Sequence, residues 1–144
     1  VPRRVIGIDL GTRRIGVAVT DGLGLTAQPH ATISRHGGQR DLDAIGAVVR
    51  AFDAERVVLG LPLSPEGELG RAARSAQAFA ERLRTALAIP VDLIDESFST
   101  VEAEEVLLRA DVSRARRKEV VDRLAAAVIL QRWLNRDREE SPNR

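Results

Sequence analysis

A three-layer α/β fold, with a mixed sheet and helices packed on its faces, is predicted by three features of the sequence. Residues 4–10 and 14–20 are apolar, β-branched runs joined by Gly11-Thr12-Arg13-Arg14, a hairpin signal with glycine at the turn. Downstream, stretches with helical spacing alternate with short apolar strand runs. A length of 144 residues with 44% hydrophobic content suits one core and one domain. A hairpin followed by strand–helix alternation argues for a sheet of mixed direction.

The elements follow in order. A weaker third strand near residues 31–34 completes a meander. Leu42, Ile45, Val48, Val49 and Phe52 predict a helix over 41–52, and residues 56–61 read as a short buried strand. Residues 62–70 form a loop. The next helix, 71–88, places Ala72, Ala76, Phe79, Ala80, Leu83 and Leu87 on one face, with Arg71, Arg74, Arg82 and Arg84 largely off it. Pro90 ends it, and residues 91–95 give a further strand. Ser99 and Glu102 stand in capping-box register, with Phe98 and Ala103 where a hydrophobic staple falls, so a helix begins near Thr100. A last long helix covers 116–134. Residues 1–135 thus make a single domain, and the polar tail 136–144 is expected to be disordered.

Composition narrows the chemistry. The 22 basic and 21 acidic residues leave a formal charge of +1, which excludes a generally polycationic nucleic-acid wrapper but not a local basic patch. No cysteine is present and the only histidines are His30 and His36, so any metal would be held by oxygen. No stretch approaches membrane-spanning length, and Asp9 interrupts the first apolar run too early for a signal peptide. A soluble, cytoplasmic protein is the expectation.

Three acids stand out by placement: Asp9 in the first strand, Glu96 just past the strand 91–95, and Asp122 inside the last helix. An ionised carboxylate in a buried strand costs several kcal/mol, so a metal ion, a basic side chain or both should sit against Asp9. Ala125, Ala126 and Ile129 follow Asp122 by three, four and seven residues, the spacing of a helix face that approaches a sheet closely around a polar site. Converging, the three acids would be hard oxygen ligands suited to Mg²⁺ or Mn²⁺. Two such ions about 3.5–4 Å apart would activate a water and stabilise the leaving oxygen of an in-line phosphodiester displacement. Each acid also has a plainer reading: Asp9 bonding its own turn, Glu96 exposed near a helix start, Asp122 paired with Lys118 one turn earlier. Asp95, Glu66 and Asp21 read as solvated loop acids.

Arg114, Arg116, Arg117 and Lys118 enter the last helix, where positive charge opposes the helix dipole unless an anion arrives. A phosphate backbone would be that anion. Lys118 is the only lysine in the chain, which suggests a place for a compact ammonium. Arg13 and Arg14, at a turn where Gly11 permits close backbone approach, are further phosphate contacts, with surface solvation the alternative for Arg13. Phe52 and Phe79 fit core positions, and Phe98 and Trp133 fit staple and core-edge roles better than base stacking.

Four blocks in order carry a resemblance: Gly7-Ile8-Asp9-Leu10-Gly11-Thr12 with Arg14-Ile15-Gly16-Val17-Ala18; Gly60-Leu61-Pro62-Leu63 with Gly67; Asp95-Glu96 with Ser99-Thr100-Val101-Glu102-Ala103; and Lys118 with Val121-Asp122 and Ala125-Ala126. Over nearly the whole chain these residues resemble the bacterial Holliday-junction-resolvase-like family regarded as pre-16S rRNA nucleases. The resemblance implies a ribonuclease H-like sheet of five strands, the first three antiparallel and the later two parallel to the first, with helices on both faces. It implies that Asp9, Glu96 and Asp122 are metal-binding catalytic acids, that Mg²⁺ or Mn²⁺ is the cofactor, and that the substrate is the 5′ end of a ribosomal RNA precursor. Thr12, Arg13, Arg14, Thr100, Arg116, Arg117 and Lys118 are the candidate nucleic-acid contacts. The chain departs from the family at Ser97, where arginine is usual, and at Ser64-Pro65-Glu66, where Asn-Met-Asp is typical; both concern substrate contacts more than the acids.

Other readings are weighed against this one. The opening strand-turn-strand is similar to that of the actin, hexokinase and Hsp70 ATPases, but those close two lobes over a nucleotide and this chain has room for one. A non-catalytic RNA-binding ribosome-assembly module is a third class, and a resolvase of branched DNA a fourth, for which a homodimer is expected because two symmetry-related strands must be cut. RNA is favoured over branched DNA on family grounds.

Overall fold

The computed structural model describes residues 4–62, 70–95 and 114–140, with side chains in the last segment described from Val120 onward. Strands β1 (Arg4–Leu10), β2 (Arg14–Thr20) and β3 (Ala27–Ser34) come first, then helix α1 (Gly38–Phe52), strand β4 (Ala54–Leu61), helix α2 (Arg71–Leu87), strand β5 (Val91–Asp95) and helix α3 (Arg114–Glu140). One five-stranded sheet has the order β3-β2-β1-β4-β5. β1 pairs antiparallel with β2, and β2 with β3; β1 and β4, and β4 and β5, pair parallel. This is the expected mixed sheet.

Strand alternation assigns the two faces. Ile6, Ile8, Ile15, Val17, Val57 and Leu59 point to one side, where Leu42, Ile45 and Val49 of α1 and Ala76, Phe79, Ala80 and Leu83 of α2 close over them. Val5, Ala18, Val58 and Ile94 point to the other, where Ala126, Ala127, Ile129, Leu130 and Leu134 of α3 cover them. The three layers are therefore α1/α2, sheet and α3. Phe79, only 1% exposed, is the largest fully buried side chain among the described residues; truncating it to alanine costs about 3–5 kcal/mol.

Several boundaries shift from the expected ones. β3 begins at Ala27 rather than near residue 31, and α1 at Gly38 rather than 41. On α2 it is Ala73, not Ala72, that is buried: the inward stripe is Ala73, Ala76, Ala80 and Leu83 with Phe79 beside it. α3 continues through Glu140, so residues 136–140, expected in a disordered tail, are helical. The helix expected near Thr100 lies outside the described residues. Among the described residues no helix is long and apolar enough to cross a membrane.

Candidate active site

The edge of the sheet where β1 ends is built around two glycines. Gly7 and Gly16 both face α3, and the helix uses the space that side chains would fill. A Cβ on Gly16 would lie 1.9 Å from the carbonyl oxygen of Asp122; one on Gly7 would lie 2.7 Å from the Leu130 Cβ and 3.0 Å from the Ala126 carbonyl oxygen. Helix backbone thus rests almost directly on strand backbone. Ala125, Ala126 and Ile129 are fully buried along this contact, the arrangement expected from the alanines after Asp122.

That contact fixes where the acids stand. Asp9 is the registered partner of Gly16, one strand spacing away, about 4.8 Å. Paired residues in an antiparallel ladder, and residues two apart in a strand, share a face. Asp9 therefore projects to the α3 side with Gly7 and Gly16, and Asp122 is seated over Gly16 on that same side. Asp9 is half-buried rather than buried, because the ladder ends one pair further on, at Leu10 with Ile15, and leaves this end of β1 open to one side.

Arg14 also faces α3. Its Nε donates to Asp122 Oδ2 at 2.6 Å, with the Arg14 side chain 50% exposed and the Asp122 side chain 17%. The basic partner of Asp122 seen here is thus Arg14 from the hairpin, whereas the pairing considered from sequence was with Lys118. Thr12 and Arg13 are exposed at the turn. Within it, the Gly11 N–H donates to the Arg14 carbonyl at 2.9 Å, and a Cβ on Gly11 would lie 2.7 Å from that same oxygen. The glycine is required by the turn's own backbone.

Arg116, Arg117 and Lys118 fall in the opening turns of α3, but their side chains lie outside the described residues, as do Glu96, Ser97, Thr100 and the Ser64-Pro65-Glu66 loop. Glu96 follows β5 directly. β5 runs parallel to β4, and β4 to β1, so Asp95 and Asp9 both lie toward the carboxyl ends of parallel strands at one sheet edge. On α3, Arg132 Nη1 donates to the Asp95 carbonyl at 3.2 Å, a contact at this edge that no sequence feature marked. Trp133 is a core-edge residue, its indole N–H donating to Asp92 at 3.0 Å under the guanidinium of Arg56.

Comparison with known proteins decides the family. A family model described as RuvX, Holliday junction resolvase, matches residues 3–136. The chain belongs to the RuvX family. A Myxococcus xanthus protein named "Putative pre-16S rRNA nuclease" is 50% identical over 135 residues, covering 94% of this chain and 89% of the relative. One of the same name from Syntrophomonas wolfei is 48% identical over 132 residues, covering 92% and 94%. The structure of T. thermophilus RuvC in complex with a Holliday junction substrate superposes with a TM-score of 0.61 at 20% identity over 97% of this chain and 98% of that one. That likeness establishes the ribonuclease H-like fold. As a RuvX-family member the chain is a nuclease, a hydrolase of phosphodiester bonds.

Proposed function

We propose that this nuclease trims the 5′ end of precursor 16S ribosomal RNA, and that Asp9, Glu96 and Asp122 are its metal-binding catalytic acids. The observation that supports this site is the seating of the Asp122 backbone carbonyl over Gly16, the registered partner of Asp9, with both residues on the α3 side of the sheet. The names of relatives 44–50% identical to the chain carry the substrate.

The donor chemistry of this edge fits a divalent cation. Asp9 and Asp122 offer hard carboxylate oxygens, which select Mg²⁺ or Mn²⁺. Such an ion, when bound, lowers the pKa of an attacking water and offsets charge on the phosphoryl oxygens. The protein's part is positional. The strand–helix contact keeps Asp9 and Asp122 on one side of the sheet, and Glu96, the residue after β5 in sequence, is proposed as the third acid. Arg14 holds one oxygen of Asp122 and so orients the carboxylate. Thr12 and Arg13, exposed on the turn, take the phosphate backbone, and Arg116, Arg117 and Lys118 extend that contact along the start of α3. Thr100 is a further substrate contact.

The family model's description favours a second reading, cleavage of branched DNA, for which a homodimer is expected because two symmetry-related strands must be cut. End-labelled precursor rRNA and a four-way DNA junction, offered side by side with Mn²⁺, Mg²⁺ or EDTA, separate the two. The proposal predicts metal-dependent cutting at the rRNA 5′ end. Faster cutting of the junction would overturn the RNA assignment.

A further inference from the structure

The hairpin turn beside Asp9 is held from outside by Arg35. The β1–β2 ladder closes at Leu10 and Ile15, leaving the turn to find other partners. This first residue after β3 supplies two of them. Its Nη1 donates to the Gly11 carbonyl at 2.7 Å and its backbone N–H donates to the Arg13 carbonyl at 2.9 Å. Behind it stands Asp41, a carboxylate only 2% exposed, which accepts the N–H groups of His36 and Gly37 at 2.9 Å each and lies 3.7 Å from Arg35 Nε. Gly37 and Gly38, with φ of 84° and 57°, let the chain reverse so that the first turn of α1 faces back to Arg35.

From this geometry we infer that Arg35 is a positioning residue for the nuclease reaction, bracing the Gly11–Arg14 turn against the start of α1 through Asp41. The inference rests on the site proposed above, in that the braced turn carries Thr12 and Arg13 to the phosphate and Arg14 to Asp122. A planar guanidinium is needed because two separate directions are used, Nη1 to a carbonyl and Nε toward a carboxylate, which one ammonium cannot serve together. Displacing reacting groups by about 1 Å can cost on the order of a hundredfold in rate, so a small loosening of this turn is sufficient to matter.

Two measurements on the full chain test the brace. Arg35→Ala is expected to cut with kcat reduced about ten- to a hundredfold and with a smaller rise in KM, because the loosened turn carries Thr12 and Arg13 while the substrate contacts proposed on α3 are untouched. Arg35→Lys should recover part of kcat. In parallel, amide exchange should show the Gly11 N–H, bonded to Arg14, exchanging at least about tenfold faster in Arg35→Ala while Ile6 and Ile8 stay protected. Unchanged Gly11 exchange overturns the brace whatever the cleavage result. So does cleavage at the wild-type kcat, or a loss of rate that merely follows the unfolded fraction. Faster Gly11 exchange with a wild type that leaves precursor rRNA intact supports the brace and overturns the rRNA assignment instead.

Discussion

A methyl group on Gly16 would have to share space with the carbonyl oxygen of Asp122, 1.9 Å away, and both contacts are backbone. Nothing flexible can yield, so the helix must lift. Gly16→Ala is expected to destabilise the fold by about 3 kcal/mol or more, at the upper end of overpacking costs, and Gly7→Ala by less, since its nearest neighbour is the Leu130 Cβ. Urea midpoints at unchanged slope would check this order; the reverse order would mean that α3 is not seated as described. The Arg14–Asp122 bond is a different case. With Arg14 half exposed, it is worth about 0.2–1 kcal/mol, too little to hold the helix down. Asp122→Asn should therefore stay folded by circular dichroism while losing cleavage. The alanines after Asp122 announced this contact in the sequence. Gly16 did not, because a strand glycine has no signature until the helix across from it is known.

At the scale of elements, the charged groups at strand and helix ends do most to fix the connections. Asp21 opens the β2–β3 turn, its carboxylate accepting the Leu25 N–H at 2.8 Å and the Thr26 hydroxyl at 2.9 Å. The Leu25 backbone bond first, and the Thr26 hydroxyl next, hold its pKa below the ordinary aspartate value. A depressed folded pKa means that its contribution is present above that ordinary value, about 3.9, and is lost as pH falls through the lower folded one. Asp21→Asn should flatten the loss of stability below about pH 4, and an unchanged acid slope in urea titrations would contradict this. At α1 the N-cap is Gly37, with no side-chain cap; Asp41 reaches back from the first turn instead. Asp41→Ala, stranding two N–H groups, is expected to cost about 2–4 kcal/mol, read as a lowered urea midpoint.

Element boundaries were legible where apolar spacing marked them. β1, β2 and β5 fall within a residue of expectation. Among the described residues β3 is an edge strand whose Gln28, Pro29 and His30 are exposed, so its first half carries no buried alternation, and an edge position tolerates Pro29. α3 outruns its last buried residue, Leu134, and Arg138 bonds the Leu25 carbonyl from its final turn.

For the whole molecule, the order β3-β2-β1-β4-β5 sets the carboxyl ends of three parallel strands at one edge, where ligand sites of open α/β sheets gather. α3 then crosses the face that Asp9 points to, bringing Asp122 from more than a hundred residues away in sequence. Mixed strand directions could be read from the chain. The Arg14–Asp122 partnership and the Arg35–Asp41 brace could not, since each joins residues whose neighbourhood exists only after folding. The proposed role of Asp9 and Asp122 is to hold together the metal that drives hydrolysis. It is tested most directly by cleavage rate against Mn²⁺ concentration for wild type and folded Asp122→Asn, on whichever nucleic acid the wild type cuts faster. The rate should be at least about a hundredfold lower in the variant at every Mn²⁺ concentration. A variant that reaches the wild-type rate with the same Mn²⁺ dependence would contradict it.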